Sequence, residues 1–145
     1  MGNFSQDVRL LKNLGLTLAR RGYVIEEPWR RGPMSSGTMS LANPVASVRM
    51  TADRGQWFIE IRPSNGGLKW FDLEQWSACL GEPVLFHKTD RSLQTEDVAA
   101  ALAASWHLPP QVSWLERHLD VIEATCTPAA RSTTLECLGR RGGRP

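Results

Sequence analysis

The spacing of apolar residues at the start of the chain predicts an amphipathic helix. Polar side chains separate apolar residues that recur every three or four positions: Phe4, Val8, Leu11, Leu14 and Leu18. This spacing places the apolar groups along one side of an α-helix. Arg20 and Arg21 suit the negative end of a helix, and Gly22 suits its left-handed stop. We therefore expect a helix from about Ser5 to Arg21.

Alternating apolar and polar residues predict a β-hairpin whose turn is Arg54-Gly55. With this turn, one face of the hairpin carries three apolar pairs: Ala52 with Trp57, Met50 with Ile59 and Val48 with Ile61. The other face, which we expect to be exposed, pairs Thr51 with Phe58, Arg49 with Glu60 and Ser47 with Arg62. A three-residue loop would shift the pairing by one residue and set polar side chains against the apolar face. The two-residue turn therefore defines the predicted register.

Shorter patterns predict the remaining elements. Further strand candidates are Tyr23–Glu27, Leu68–Phe71 and Val84–His87. Further helices are expected from the N-cap Asp72 to Gly81, from Thr95 to Trp106, from Pro110 to about Thr125, and from Thr127 to Leu138. Trp57 and Trp76 fall on apolar faces of their elements, so we expect both in the core.

The order of these elements predicts one α+β domain over residues 1–138. Its centre is an antiparallel sheet of about four strands, with the N-terminal helix and the C-terminal helices packed on one face. Residues 139–145 read GRRGGRP and offer no large apolar group to bury. We therefore expect them to form a disordered tail.

The stretch from Pro28 to Asn43 is rich in Gly, Pro and Ser and predicts a long loop. Trp29, Arg30 and Arg31 lie at its start. Because Trp and Arg dominate the hot spots of protein interfaces, these three residues are the first candidates for binding a partner. A Trp29 ring folded back over the core is the alternative. The polar face of the hairpin is the second candidate surface, through Arg49, Phe58, Glu60 and Arg62.

Composition and charge exclude several classes of protein. The chain has 145 residues, 41% of them hydrophobic, and its 17 basic against 15 acidic residues give a formal charge of +2. So small an excess does not favour nucleic acid or an anionic membrane as a partner. No apolar run is long enough for a signal peptide or a membrane span. Cys79, Cys126 and Cys137 are odd in number and far apart, which predicts a reducing cytoplasm, with Cys79 as a buried, inert thiol.

No arrangement of residues in the sequence predicts a reaction or a metal site. His87, His107 and His118 lack the close spacing that zinc ligands need. The sequence contains no motif for a serine nucleophile, a phosphate-binding loop or a metalloprotease. We therefore expect no cofactor, no metal and no enzymatic activity. An enzyme whose catalytic groups converge from distant positions stays open as an alternative.

The region from Ala46 to Ile122 resembles small α+β immunity proteins, which neutralise secreted or contact-delivered bacterial toxins. The resemblance rests on the segments WFIEIRP and GGLKWFDLEQWSACLGEP, followed by the helical TEDVAAALAASW and WLERHLDVI. Immunity proteins of this kind lack catalytic residues and cover a toxin's active site inside the producing cell. The resemblance thus implies a bacterial protein whose partner is a cognate protein toxin. A dimeric secretion or folding chaperone is the alternative, because such chaperones are also small α+β proteins without chemistry.

Overall fold

Four helices and five strands make up the part of the chain that the structure describes, which is residues 4–33, 36–65, 67, 69–86 and 106–145 of a computed structural model. Helix α1 (Phe4–Arg20) precedes strands β1 (Val24–Arg31), β2 (Gly37–Ala42), β3 (Ala46–Asp53), β4 (Gln56–Pro63) and β5 (Phe71–Asp72). Helices α2 (Leu73–Cys79), α3 (Leu108–Thr125) and α4 (Arg131–Gly139) follow. The strands form one antiparallel sheet in the order β1-β2-β3-β4-β5. The predicted α+β class is confirmed.

The central hairpin of β3 and β4 has the predicted register. Met50 lies opposite Ile59, and Arg49 lies opposite Glu60. Arg54 and Gly55 form the turn with φ angles of 53° and 82°. Two successive positive φ values belong to a type I′ turn, whose twist matches that of the flanking strands. The alternation of apolar residues and the turn geometry therefore agree on one register.

Helices α1 and α3 cover one face of the sheet, which we call the inner face. The hairpin contributes Val48, Met50, Ile59 and Ile61 to a buried cluster, and the two helices contribute Leu14, Leu18, Val112, Leu115, Leu119 and Ile122. Trp57 also lies on this side, and its indole N–H donates to a carboxylate oxygen of Asp7 at 3.2 Å. Trp76 is fully buried and donates to the Ile61 carbonyl at 3.0 Å. The core positions predicted for both tryptophans are confirmed in outline, with Trp57 only partly buried at the margin of the cluster.

A buried glutamine completes the hydrogen bonding of β4. Strand β5 pairs only with Glu60 and Ile61, so it does not reach the first half of β4. There the Gln111 side chain of α3 takes its place, accepting from the Ile59 N–H at 2.9 Å and donating to the Trp57 carbonyl at 2.7 Å. Gln111 also donates to the His107 carbonyl at 2.8 Å and is 0% exposed. The amide side chain thus satisfies backbone groups that would otherwise be buried without partners.

Replacing Gln111 by methionine is expected to lower the free energy of unfolding by about 3 kcal/mol. Methionine keeps the volume but removes the partner of the Ile59 N–H and of the Trp57 carbonyl, and each buried unpaired group costs roughly 1–3 kcal/mol. Chemical denaturation followed by circular dichroism measures the loss. Ser113→Ala, an exposed change on the same helix, is the control and should shift stability by less than about 0.5 kcal/mol. Equal losses in the two variants would show that Gln111 does not hold β4.

The predicted long loop from Pro28 to Asn43 is wrong. Its two ends are strands, the second half of β1 and the whole of β2, joined by a short turn around Pro33. Met39 lies opposite Met50, and Leu41 lies opposite Val48, so β2 extends the apolar inner face. Small and polar residues occupy the positions between, where they face the other side of the sheet. That mixture gave the segment its loop-like composition.

Several other expectations differ from the structure or lie beyond it. Strand β5 is shorter than the predicted Leu68–Phe71, and residues 84–86 form no strand. His87 and the helix predicted from Thr95 lie outside the described residues, apart from its last residue, Trp106. The predicted helices at Asp72, Pro110 and Thr127 are present as α2, α3 and α4. Among the described residues, no helix has the length and hydrophobicity that crossing a bilayer requires.

A disulfide joins Cys79, at the end of α2, to Cys137 in α4, with the Cα atoms 6.0 Å apart. The expectation that Cys79 is an inert thiol is therefore wrong. Helices α2 and α4 pack together, which brings the two cysteines into range although they are 58 positions apart in the sequence. Cys126 is free and buried, and burial raises the pKa of its thiol to about 12, so it stays protonated and unreactive.

Candidate functional site

The face of the sheet opposite α1 and α3, which we call the outer face, carries a polar and aromatic array. Cross-strand pairing places its side chains in rows, because directly opposed residues share a face. One row runs Arg30, Thr38, Thr51, Phe58, and the next runs Glu27, Ser40, Arg49, Glu60, Asp72. The outer face therefore brings the predicted hairpin residues Arg49, Phe58, Glu60 and Arg62 together on one surface.

The ion pair between Arg49 and Glu60 is the buried centre of this surface. One Glu60 oxygen accepts from Nη2 of Arg49 at 2.8 Å and from Nε at 3.1 Å. Glu60 is only 2% exposed, so the expectation of an exposed pair is wrong. Its second oxygen, Oε2, is buried without a hydrogen-bond partner among the described residues. Such a pair holds the Arg49 guanidinium in one orientation, since releasing it would leave a buried carboxylate unpaired.

Trp70 forms a platform for two arginines beside this pair. The guanidinium carbon of Arg49 lies 4.7 Å from the centre of a Trp70 ring, and that of Arg62 lies 4.2 Å from it. Both distances are within the range of cation–π attraction. The sequence left open whether Trp70 or Phe71 is buried. Both are buried, on opposite faces of the sheet.

The last residues of the chain lie on the outer face, so the expected disordered tail at 139–145 is wrong. Backbone hydrogen bonds join Trp70 and Arg144 in both directions, at 2.5 and 2.8 Å. The Arg144 guanidinium lies 5.1 Å from the centre of the Phe58 ring, and Arg49 donates to the Pro145 carbonyl at 3.2 Å. Residues 139–145 lack large apolar groups, but Arg144 forms an isolated antiparallel bridge with Trp70 and its guanidinium lies over the Phe58 ring. The C-terminal segment, residues 142–145, therefore contacts Arg49, the ion-pair partner of Glu60.

Asp72 lies next to Glu60 in the same row and also caps α2. Its carboxylate accepts from the Gln75 N–H at 2.9 Å, and the Gln75 side chain accepts from the Asp72 N–H at 2.8 Å. Burial raises the pKa of the Asp72 carboxyl, while the hydrogen bond from Gln75 and the charge of Arg144 act in the opposite direction.

A cleft of about 390 Å³ lies beside the outer face. Its lining includes Ser47, Arg62 and Ser64.

Trp29, Arg30 and Arg31 lie apart from the Arg49 cluster, on the exposed edge strand β1. The Trp29 ring is 44% exposed and lies 6.2 Å from the Trp57 ring, on the inner side of the sheet. It covers Gly37 so closely that a β-carbon there would lie 2.1 Å from Trp29 Cζ2. A larger residue at position 37 would therefore have to displace the Trp29 ring. Trp29 is thus partly packed and partly available, and the seven predicted binding residues do not form one continuous site.

Sequence reasoning missed Trp70 and Arg144 as parts of the outer-face cluster. Trp70 follows a glycine-rich turn and belongs to no regular strand, so no alternation assigned it to a face. Arg144 lies within a segment whose composition is typical of disorder. We refer to Arg49, Phe58, Arg62, Trp70 and Arg144 as the basic–aromatic surface.

No group of three or more His, Cys, Asp or Glu side chains is arranged to hold a metal ion in the described ranges. Comparisons with protein-family models, with curated proteins and with solved structures found no match to this chain.

Proposed function

We propose that the protein is an immunity protein that binds a cognate bacterial toxin and neutralises it by covering its active site, without catalysis of its own. The observation that carries the proposal is the basic–aromatic surface on the outer face. Its side chains contact one another, Glu60, Trp106 and the C-terminal segment, while α1 and α3 pack on the inner face.

The surface is preorganised for binding a protein. Arg49 is held by Glu60 and Trp70, and Arg62 is held by Trp70, so their binding would cost less side-chain entropy than that of free arginines. Arg62 forms no ion pair with a described residue. Its guanidinium keeps donors free for a carboxylate of the partner, in the planar geometry that favours two hydrogen bonds. An acidic patch around the toxin's active site would complement this surface.

Replacing Arg62 and Arg144 together by alanine is expected to weaken the toxin complex by about 2 kcal/mol or more, the scale of hot-spot residues. The toxin is first identified by co-purification with the protein from its source cell, and its affinity is then measured by calorimetry. The free variant should keep its melting temperature to within a few degrees, because both side chains lie at the surface. Arg117→Ala on the exposed side of α3 is the control and should leave affinity unchanged.

A second measurement separates binding from neutralisation. Co-expression of the wild-type chain should restore growth to cells that produce the toxin, and the double variant should not. Unchanged affinity of the double variant for an identified toxin would move the interface away from the outer face. Trp29, Arg30 and Arg31 stay predicted contacts, and Trp29→Ala in the same assay checks them.

A dimeric chaperone is the second candidate function, favoured by the exposed apolar side chains of edge strand β1. Val24 and Ile25 are 67% and 59% exposed, and Trp29 adds part of its ring. A chaperone would bind one client without inhibiting an enzyme. Purified partner assayed with and without the protein separates the two functions, since only a toxin loses activity on binding.

Action inside the producing cell would place the protein in the cytoplasm. The cysteine-based argument for that location no longer holds, because a disulfide such as Cys79–Cys137 is typical of an oxidising compartment. A cytoplasmic location is therefore part of the proposal alone. Fractionation of the source cell followed by immunodetection tests it.

A further inference from the structure

Strand β1 is an open edge of the sheet. It pairs with β2 on one side, and no described strand pairs with its other side. All eight of its residues are exposed. An exposed edge offers backbone donors and acceptors to a further strand. The side chains of β1 therefore determine which strand can pair with it.

The charges of β1 have an order that is self-complementary when reversed. Two glutamates, Glu26 and Glu27, precede Pro28 and Trp29, and two arginines, Arg30 and Arg31, follow them (the order is EEPWRR). None of the four charged side chains forms an ion pair or a hydrogen bond with a described residue. When two copies of this strand lie antiparallel, the glutamates of each copy lie opposite the arginines of the other.

We propose that two copies of the chain pair antiparallel through β1, about a two-fold axis that passes between Pro28 and Trp29. In this register Glu27 of one copy faces Arg30 of the second copy, and Glu26 faces Arg31. The symmetry repeats each contact, as an isologous interface requires. Pro28 of each copy then lies opposite Trp29 of the other, so an apolar centre is flanked by charged pairs.

The faces of the side chains agree with this register. Glu27 pairs with Ser40 and Arg30 pairs with Thr38, and both partners belong to the outer face. Glu27 and Arg30 therefore project on the same side of the sheet and meet across the two-fold axis. Opposite charges directly across an antiparallel pair stabilise it, and like charges destabilise it. A parallel arrangement would set glutamate beside glutamate and arginine beside arginine.

Other features of β1 disfavour pairing with an arbitrary strand. Pro28 has no N–H to donate, and the register of β1 shifts between Ile25 and Glu27 and again between Glu27 and Arg30. Bulges and proline on an edge are devices against unspecific strand addition. Because they weaken the backbone ladder, the ion pairs and the Pro28–Trp29 contacts must supply much of the selectivity. A second copy of β1 supplies both the oppositely charged partners and the Pro28–Trp29 contacts.

The dimer is compatible with toxin binding at the basic–aromatic surface, but it would occupy Trp29, Arg30 and Arg31 and so exclude them as toxin contacts. Strand β1 is at one edge of the sheet, and β5 with the C-terminal segment is at the other. The paired sheets would leave the basic–aromatic surface of each copy accessible. A dimer of this kind would therefore carry two such surfaces.

Two complementary charge variants test the interface. In the first, Glu26→Arg and Glu27→Arg make the strand wholly basic; in the second, Arg30→Glu and Arg31→Glu make it wholly acidic. Analytical ultracentrifugation should show a dimer for the wild-type chain and monomers for each variant alone. An equimolar mixture should form a heterodimer, with a dissociation constant at least about tenfold below that for self-association of either variant. Lys12→Glu with Arg117→Glu, the same charge change on helices away from β1, should remain dimeric.

Each other result overturns the inference. A wild-type chain that stays monomeric at its highest soluble concentration excludes the dimer. Variants that remain dimeric alone, or a mixture of folded variants that stays monomeric, place the contact elsewhere. Loss of toxin binding by both variants, with a monomeric wild-type chain, would assign β1 to the toxin instead. Circular dichroism of each variant confirms that it is folded, which is expected because the four changed residues are exposed.

Discussion

Replacing Ile59 by aspartate is expected to abolish cooperative folding. Ile59 is 0% exposed and lies opposite Met50 on the inner face, inside the cluster that α1 and α3 cover. Removing the side chain loses about 2–3 kcal/mol of apolar burial. A carboxylate left there without a partner costs several kcal/mol more. The sum is comparable to the whole stability of a domain of this size, which is typically about 5–15 kcal/mol.

Val24→Asp is the matched control for this variant. Val24 is also a branched apolar residue on a strand of the same sheet, but it is 67% exposed. An exposed substitution of this kind should shift stability by less than about 1 kcal/mol. Thermal unfolding followed by circular dichroism and by tryptophan fluorescence compares the two. If both variants melted alike, the inner face assigned to β4 would be incorrect.

Loss of the Cys79–Cys137 disulfide is expected to lower the free energy of unfolding by about 4 kcal/mol. The bond closes a loop between cysteines 58 positions apart, and a loop of that length restricts the unfolded chain by roughly this amount. Denaturant unfolding with and without a reducing agent measures the difference. The double variant Cys79→Ala with Cys137→Ala should match the reduced protein, and reducing agent should not change its stability.

Thiol counting gives a second, independent measurement. The chain has three cysteines, and Cys126 is the free one, so the unfolded, oxidised protein should show a single reactive thiol. Cys126→Ala should then show none before reduction while keeping the disulfide. Three reactive thiols in the unfolded protein before reduction would refute the bond. That result would also restore the cysteine argument for a reducing compartment.

The hairpin and the helices were predictable because local chemistry specifies them. The register of β3 and β4 follows from alternation and from a turn in which Arg54 and Gly55 both take positive φ. Helices α1, α2 and α3 each carry an apolar stripe with a recognisable start or stop. These signals involve residues that are close together in the sequence, so they can be recognised without knowing how the rest of the chain folds. Strand β2 gave no such signal, since its small and polar residues become a strand only against β3.

The candidate site was predictable only in part. The register predicted from the sequence places Arg49, Phe58, Glu60 and Arg62 on one face of the hairpin, and the structure has that register. The burial of Glu60 and the participation of Trp70 and Arg144 depend on contacts between residues far apart in the sequence, such as those of Arg144 with Trp70 and of Arg49 with Pro145. Composition indicates that the C-terminal segment cannot form a core by itself. The composition of this segment does not indicate whether another part of the folded chain, such as Trp70, will bind it.

By itself the sequence determined the α+β class, the central hairpin with its register, and the bounds of most helices, because each rests on periodicity and turn chemistry over a few residues. Tertiary structure alone decided the role of Gln111 as a substitute strand, the pairing of Cys79 with Cys137, and the burial of Glu60. It also placed β1 at the edge of the sheet that the described strands form, which is what makes the order EEPWRR available for the proposed interface. These features join residues far apart in the chain, and their free energy comes from contacts that exist only once the sheet and its helices have packed.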